Sequence, residues 1–180
     1  MNKFILSAIA GVMLSSGLAQ AASGGTINFQ GQLSNNTCEV VVDGQASNPT
    51  VTLPIVSIGQ LGSAAQTAGL TGFTLALANC SGSLKTASAF FEAGATVDVL
   101  TGRLKNTTGT AQNVSLQLRD GTSASQAVIK AGNADQINGN SFVNVESGST
   151  NLPYFVEYYA EGATTPGTVV SSVIYSIQYK

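Results

Sequence analysis

The sequence predicts an all-β sandwich, and three observations support that fold class. Short segments alternate between apolar and polar residues, which is the period of a strand with one buried face. Glycine, asparagine and serine residues separate these segments at the spacing expected of turns. No stretch has the periodicity of a long helix, and neither an internal repeat nor a linker divides the chain. We therefore expect one domain of antiparallel strands packed as two sheets.

The first residues predict a signal peptide that is removed on export. Met1-Asn2-Lys3 provides a positive start, the run 4–14 is mostly apolar, and Ala19-Gln20-Ala21 offers small residues for cleavage. A membrane anchor is the alternative, but the apolar run is shorter than the roughly 20 residues of a spanning helix. We expect cleavage after Ala21, so that residues 1–21 are the signal peptide and the mature chain is exported and soluble.

The segment that follows alternates strictly and is predicted to be extended. Its even positions are all polar, and its odd positions are Gly25, Ile27, Phe29, Gly31 and Leu33. Glycine weakens a strand interior and often marks the close approach of another backbone, so Gly31 is unusual on this face. Taken alone, the segment is best interpreted as a first strand that pairs within its own sandwich. A detachable arm over residues 22–34 is the alternative.

The composition excludes several classes of partner. The chain has a net charge of −2, only 9% of its residues are charged, and no basic cluster is present. A nucleic acid or an anionic membrane surface is therefore not expected to bind. The two cysteines, Cys38 and Cys80, favour a structural disulfide in an exported protein. A metal or redox pair is less plausible because the spacing is not CxxC and the chain has no histidine.

Further short strands are expected along the chain, each ending at glycine, proline or polar turn residues. A strong turn signal is Asp120-Gly121. Residues 57–72 are rich in glycine and small side chains, and we expect a loop there with at most one helical turn. The expected strands are 39–42, 50–53, 73–77, 88–91, 96–100, 113–119, 127–130, 141–145, 152–160 and 168–179.

The last of these strands is apolar on both faces. One face carries Val169, Ser171, Val173, Tyr175, Ile177 and Tyr179, and the other face is only half polar. Such a pattern is typical of a central strand, which has a neighbour on each side. The sequence given ends at Lys180, so no downstream segment supplies the second neighbour. We therefore expect something else to cover this strand.

Taken together, these segments resemble the major pilin subunits of chaperone–usher fimbriae of the type 1 kind. The resemblance covers essentially the whole mature chain and rests on GGTINFQGQL, FTLALANC, LKNTTGTAQNVSLQLRDG and LPYFVEYYAEG. In that family, a glycine fourteenth from the end and a penultimate tyrosine mark the carboxy-terminal strand. Here they are Gly167 and Tyr179. The arm departs from the family pattern because only Ala22-Ser23-Gly24 precede its alternating run.

The resemblance implies an incomplete immunoglobulin-like sandwich over residues 35–180 that lacks its last strand and is completed by donor-strand complementation. The arm would donate its five odd positions to a neighbouring subunit, and Cys38 and Cys80 would form the family's disulfide. The implied partners are identical or related pilin subunits, a periplasmic pilus chaperone and an outer-membrane usher. The acceptor groove would lie beside the carboxy-terminal strand, at Gly167, Val169, Ser171, Val173, Tyr175, Ile177 and Tyr179.

The function expected from this resemblance is that of a structural subunit of an extracellular fimbria that supports bacterial adhesion. The alternative is a minor, adaptor or tip-associated subunit with a receptor-binding role. Three of the chain's five tyrosines, Tyr154, Tyr158 and Tyr159, could stack on a carbohydrate, but a place in the sandwich core and at a subunit contact is the preferred interpretation. We expect no enzyme, metal or cofactor, since the chain has no histidine. The pair Glu157 and Glu161 is interpreted as solvated surface rather than as an acid/base couple.

Overall fold

The computed structural model describes residues 26–45 and 49–180. The predicted signal peptide, the start of the arm and Gly25 lie outside these residues. The chain divides into two units after Gln32. Within the described residues, 26–36 contain neither a helix nor a strand. All strands belong to the second unit, residues 33–180.

The second unit is built mainly from antiparallel strands. It also contains a 3-10 turn at Ile58–Leu61 and a one-turn helix at Gln136–Gly139. The strands in chain order are β1 Thr37–Val42, β2 Thr67–Ser81, β3 Thr86–Phe91, β4 Leu104–Lys105, β5 Val114–Asp120, β6 Val128–Ile129, β7 Val143–Asn144, β8 Thr150–Ala160 and β9 Tyr175–Tyr179. The larger sheet has the order β1-β2-β8-β5-β4, with β6 also paired to β5. The smaller sheet has the order β7-β3-β9. The all-β sandwich predicted from the sequence is confirmed.

The core lies between the two sheets and is built from the inward-facing residues of both. In the larger sheet Leu75 of β2 is paired with Leu152 of β8, and both side chains are fully buried. In the smaller sheet Phe91 lies edge-on to the Tyr154 ring of β8, with 5.1 Å between ring centroids. Burial of such side chains contributes about 1.5–3 kcal/mol each to folding. The prediction that Tyr154 belongs to the core is therefore confirmed.

The predicted disulfide is also present, between Cys38 in β1 and Cys80 in β2. These strands are hydrogen-bonded neighbours, with Thr37 paired to Ser81. The bridge closes a loop with a sequence separation of 42 residues. On the chain-entropy model, a loop of this length stabilises the folded state by about 4 kcal/mol.

Three predicted strands differ from the structure. Residues 50–53 and 96–100 are not strands, although Val51 and Leu53 pack against the core and Val97 forms an isolated bridge with Leu104. The last strand is observed only over Tyr175–Tyr179, so the prediction of 168–179 was too long. Conversely, β2 begins inside the predicted loop. Alternation of polarity reports which side chains are buried, and a ladder also needs a hydrogen-bonding neighbour at each position.

The interpretation of Glu157 as solvated surface is wrong. This carboxylate lies in β8 and is 5% exposed. It accepts a hydrogen bond from Gln117 at 2.8 Å and forms an ion pair with Arg119 at 2.5 Å. Glu161 follows β8 and accepts two hydrogen bonds from Arg103, at 2.8 and 3.0 Å. Both carboxylates therefore link strands of the larger sheet through cationic partners.

Candidate functional site

The edge of β9 is open along the side that faces away from β3. On the β3 side, Lys180 N–H donates to Thr86 at 2.9 Å and Glu92 N–H donates to the carbonyl of Ile174 at 2.8 Å. The even-numbered residues thus use their main-chain groups toward β3, because successive residues of an antiparallel strand point these groups to opposite edges. The odd-numbered residues direct theirs to the other edge. No strand within the described residues pairs there.

The side chains of this terminal segment alternate in burial. From residue 169 to 179 every odd-numbered residue is half-buried, whereas the even-numbered residues from 168 to 176 are exposed. The odd-numbered hydrophobic residues that pack against the core are Val169, Val173, Tyr175, Ile177 and Tyr179. Apolar side chains of the core are therefore continuous with one wall of an open groove.

The central part of the groove is a cavity of about 670 Å³. One wall is the segment 171–175 and the other is the segment 49–53. Between the walls, the floor is formed by buried side chains of both sheets, including Leu75, Phe91 and Leu118. Within the described residues, no main-chain hydrogen bond joins the two walls. An open sandwich edge of this kind exposes both apolar surface and unpaired backbone groups.

Two further cavities extend the groove along the same terminal segment. One, of about 700 Å³, is lined by residues 164–170 together with Ile55, Val56 and Tyr158. The other, of about 230 Å³, lies where Tyr179 approaches the disulfide. The three cavities follow one another in sequence order along residues 164–179. The terminal segment therefore lines cavity space over residues 164–175 and again at Tyr179.

Close packing fixes the start of the groove wall at Gly167. Its φ of 155° is in the range that side chains rarely adopt. A Cβ at this position would lie 2.6 Å from the Thr110 hydroxyl and closer still to the main-chain nitrogen of Ala111. Gly109 is crowded in the same way by the carbonyl of Thr168. Glycine at both positions therefore allows two backbone segments to touch.

The Asn106 side chain holds these two segments together. Its amide nitrogen donates to the carbonyls of Ala111, at 2.9 Å, and Thr168, at 3.1 Å. Its oxygen accepts from the main-chain nitrogens of Gly109, at 3.1 Å, and Val170, at 2.8 Å. Asn106 thereby hydrogen-bonds four main-chain groups outside the strands, of which the Thr168 carbonyl also accepts from the Ala111 N–H at 3.0 Å. Sequence analysis included Asn106 and Gly109 in a matching segment but gave them no role, although an asparagine three residues before a glycine is a recognisable turn signal.

At the opposite end, Tyr179 is half-buried beside Cys38. Burial raises the pKa of the Tyr179 phenol, and a hydrogen bond with the main chain of Cys38 acts in the opposite direction. The hydroxyl therefore remains protonated at neutral pH.

The arm carries exposed apolar side chains. Ile27 is 76% exposed, Phe29 88% and Leu33 101%. A Cβ added to Gly31 would meet no atom within 4 Å. The segment 26–33 forms no strand. Three large apolar side chains of one alternating face are thus exposed.

Within 26–45 and 49–180, no group of three or more His, Cys, Asp or Glu side chains could hold a metal ion. No helix among these residues is long and apolar enough to cross a membrane. The distinctive features of the structure are instead the unpaired edge of β9 and its apolar groove. They define an incomplete β-sandwich, in which the edge beside β9 has no partner strand among the described residues.

Comparison with known proteins identifies the family. The family model described as "Type-1 fimbrial protein, A" matches residues 53–180. The major fimbrial subunit SMF-1 of Stenotrophomonas maltophilia is 43% identical over 167 residues, which cover 90% of this chain and 96% of that protein. The F17 fimbrial protein of Escherichia coli is 37% identical over 185 residues, covering 99% and 98%. This chain belongs to the type-1 fimbrial protein family.

A solved structure supports the fold. The crystal structure of the P pilus rod subunit PapA has a TM-score of 0.61 to this chain at 13% identity, covering 79% of this chain and 99% of that one. The family resemblance inferred from the sequence is therefore confirmed, and so is the expectation of a structural fimbrial subunit. The related proteins are structural fimbrial subunits.

Proposed function

We propose that this fimbrial subunit polymerises head to tail, with the arm of one copy entering the groove of the next. The donated positions are those of the predicted arm: Gly25, Ile27, Phe29, Gly31 and Leu33. The observation that carries the proposal is the open, apolar groove beside β9, whose walls share no main-chain hydrogen bonds in the described part of the chain. Addition of a strand to an exposed sheet edge is an established mode of recognition, and pilins are a standard example of it.

The energetic balance favours insertion. Burying Ile27, Phe29 and Leu33 contributes about 1.5–3 kcal/mol each. Each new main-chain hydrogen bond to the odd-numbered residues of the terminal segment adds about 1 kcal/mol. Loss of translational and rotational freedom offsets part of this gain. Release requires a whole strand to leave the groove, so the polymer is expected to persist for kinetic reasons.

The same groove needs cover before assembly, because an exposed apolar strand edge promotes aggregation. We propose that the subunit is exported through the periplasm, where a strand of a pilus chaperone occupies the groove. An outer-membrane usher then exchanges that strand for the arm of another subunit. The extracellular product is a polymer of identical or related pilin subunits.

A matched pair of substitutions tests the proposal. Phe29→Asp places a charge on the inward face of the arm, whereas Gln30→Asp places the same charge on the outward face. Fibres sheared from producing cells should be lost with Phe29→Asp, because an unpaired carboxylate cannot be buried in the groove. Gln30→Asp should assemble as wild type does. Fibres of normal yield from Phe29→Asp, measured by electron microscopy and subunit mass, would overturn the proposal.

A further inference from the structure

One polar atom of the groove wall has no partner. The hydroxyl of Ser171 is buried and makes no hydrogen bond within the described residues. The same residue lines the central cavity of the groove. A buried hydroxyl without a hydrogen bond is costly, and nearly all such groups in folded proteins are paired. Its partner is therefore to be sought in whatever fills the groove.

Ser171 lies at the boundary between the two large cavities. Residues 168–170 line the cavity of about 700 Å³, and residues 171–175 line the cavity of about 670 Å³. An extended strand that fills both cavities must place one bulky side chain on each side of this boundary. The residue between these two side chains lies against Ser171 and must be small enough to fit there.

The arm has a matching pattern. Phe29 and Leu33 lie on one face, and Gly31 lies between them. Four residues of an extended strand span about 13 Å, which is the same distance as from Val169 to Val173 along the wall. With Phe29 in one cavity and Leu33 in the other, Gly31 is opposite Ser171. This holds whichever way the strand runs.

We propose that Ser171 is a specificity-determining residue of the groove, and that its hydroxyl hydrogen-bonds to the main chain of the incoming copy at Gly31. This inference rests on the proposed function. Because Gly31 has no side chain, its backbone can approach the wall closely. A serine hydroxyl can take any of three staggered χ1 positions about 120° apart, so it can adjust to a backbone group that comes close to the wall.

The bond would fix the register of the inserted strand. A slip of one residue would turn the polar face of the arm inward. A slip of two residues would set Phe29 or Leu33 against Ser171, leaving the hydroxyl unpaired and the large side chain against the wall. Only the register with Gly31 at this point satisfies both the cavities and the hydroxyl.

The test compares the dissociation rates of fibres in guanidinium chloride. Ser171→Ala removes the hydroxyl and should raise the rate roughly fivefold, the value of one net hydrogen bond. Ser172→Ala is the matched control, since its side chain is exposed and its carbonyl, which accepts from Thr96 at 2.6 Å, is retained. This control should dissociate at the wild-type rate.

The coupling between donor and acceptor gives a second readout. Gly31→Ala places a methyl group over Ser171 and should break the bond by itself. Adding Ser171→Ala to Gly31→Ala should therefore cause no further acceleration. If either single variant assembles too poorly for kinetics, the assembled fraction relative to Ser172→Ala supplies the same comparison.

Two results would overturn the inference: equal rates for Ser171→Ala and Ser172→Ala, or independent, multiplicative effects of Ser171→Ala and Gly31→Ala. Phe29→Asp, measured in parallel, distinguishes a failure of the proposed function from a failure of the proposed role of Ser171. Normal assembly of Phe29→Asp contradicts the proposed function itself. Failure of Phe29→Asp together with an unaffected Ser171→Ala contradicts only the role of Ser171.

Discussion

At the residue scale, the structure explains why position 167, a marker of the terminal strand in the sequence, requires a glycine. Its backbone has a positive φ, and its α-carbon packs against the Thr110–Ala111 segment with no room for a Cβ. The neighbouring Val169 is then directed toward the core, where it is half-buried. The glycine therefore sets the starting point of the groove wall.

Replacement of this glycine should be costly. Gly167→Ala would introduce both a clash and backbone strain, and we expect a loss of about 1–3 kcal/mol in fibre stability. Gly94→Ala is the control because an added Cβ there meets no atom within 4 Å. Guanidinium-induced unfolding of purified fibres measures both variants. A Gly167→Ala midpoint equal to that of Gly94→Ala would contradict this explanation.

At the element scale, the terminal segment is supported in two different ways. Residues 175–179 form a regular ladder with β3. Residues 168–170 are held by the side chains of Asn106 and Thr110 and by main-chain bonds such as Thr107 N–H to Val170 at 3.1 Å. One alternating sequence thus contains a strand and a clamped extended stretch, both of which leave the same edge open.

A second connection between elements joins the two sheets. The Tyr154 hydroxyl of β8 accepts a hydrogen bond at 2.9 Å from the main-chain nitrogen of Ala89 in β3. Tyr154→Phe would leave this buried N–H group unpaired, and we expect a loss of about 1–3 kcal/mol. Tyr158→Phe is the control, since Tyr158 is half-buried in the same strand and the pKa of its phenol is raised by burial, with no hydrogen bond contributing.

Fibre unfolding in guanidinium chloride separates these two tyrosine variants. We expect the unfolding midpoint of Tyr158→Phe to equal that of the wild type, and the midpoint of Tyr154→Phe to be clearly lower. Equal midpoints for the two variants would show that the hydroxyl bond between the sheets contributes nothing.

Alternation of polarity was sufficient to locate most strands and the inward residues of the last segment. It could not reveal that residues 50–53 lack a ladder partner, since that depends on a neighbour distant in sequence. It also placed Glu157 wrongly at the surface. A glutamate in an alternating strand looks solvent-facing, and only the fold brings Arg119 and Gln117 beside it. The Asn106–Gly109 turn has a local signature, but the two hydrogen bonds that Asn106 makes to Thr168 and Val170 join residues 62 to 64 positions apart and cannot be predicted from the local sequence.

At the scale of the whole molecule, the proposed donor and acceptor are different surfaces of one chain. A head-to-tail contact of this type does not close on itself and propagates into an open filament. The same arrangement explains why three apolar side chains of the arm are exposed in a chain with an apolar groove. Each added copy supplies the strand that the previous copy lacks and presents a new unfilled groove.

The most direct test of this account follows the position of a subunit that can accept a strand but cannot donate one. Cells would produce the wild-type chain together with a small proportion of an epitope-tagged chain lacking residues 22–32, and immunogold electron microscopy would locate the tag. The account predicts at most one label per fibre, always at the same end, and shorter fibres as the tagged proportion rises. Labels distributed along the fibre would contradict donation of the arm as the link between subunits.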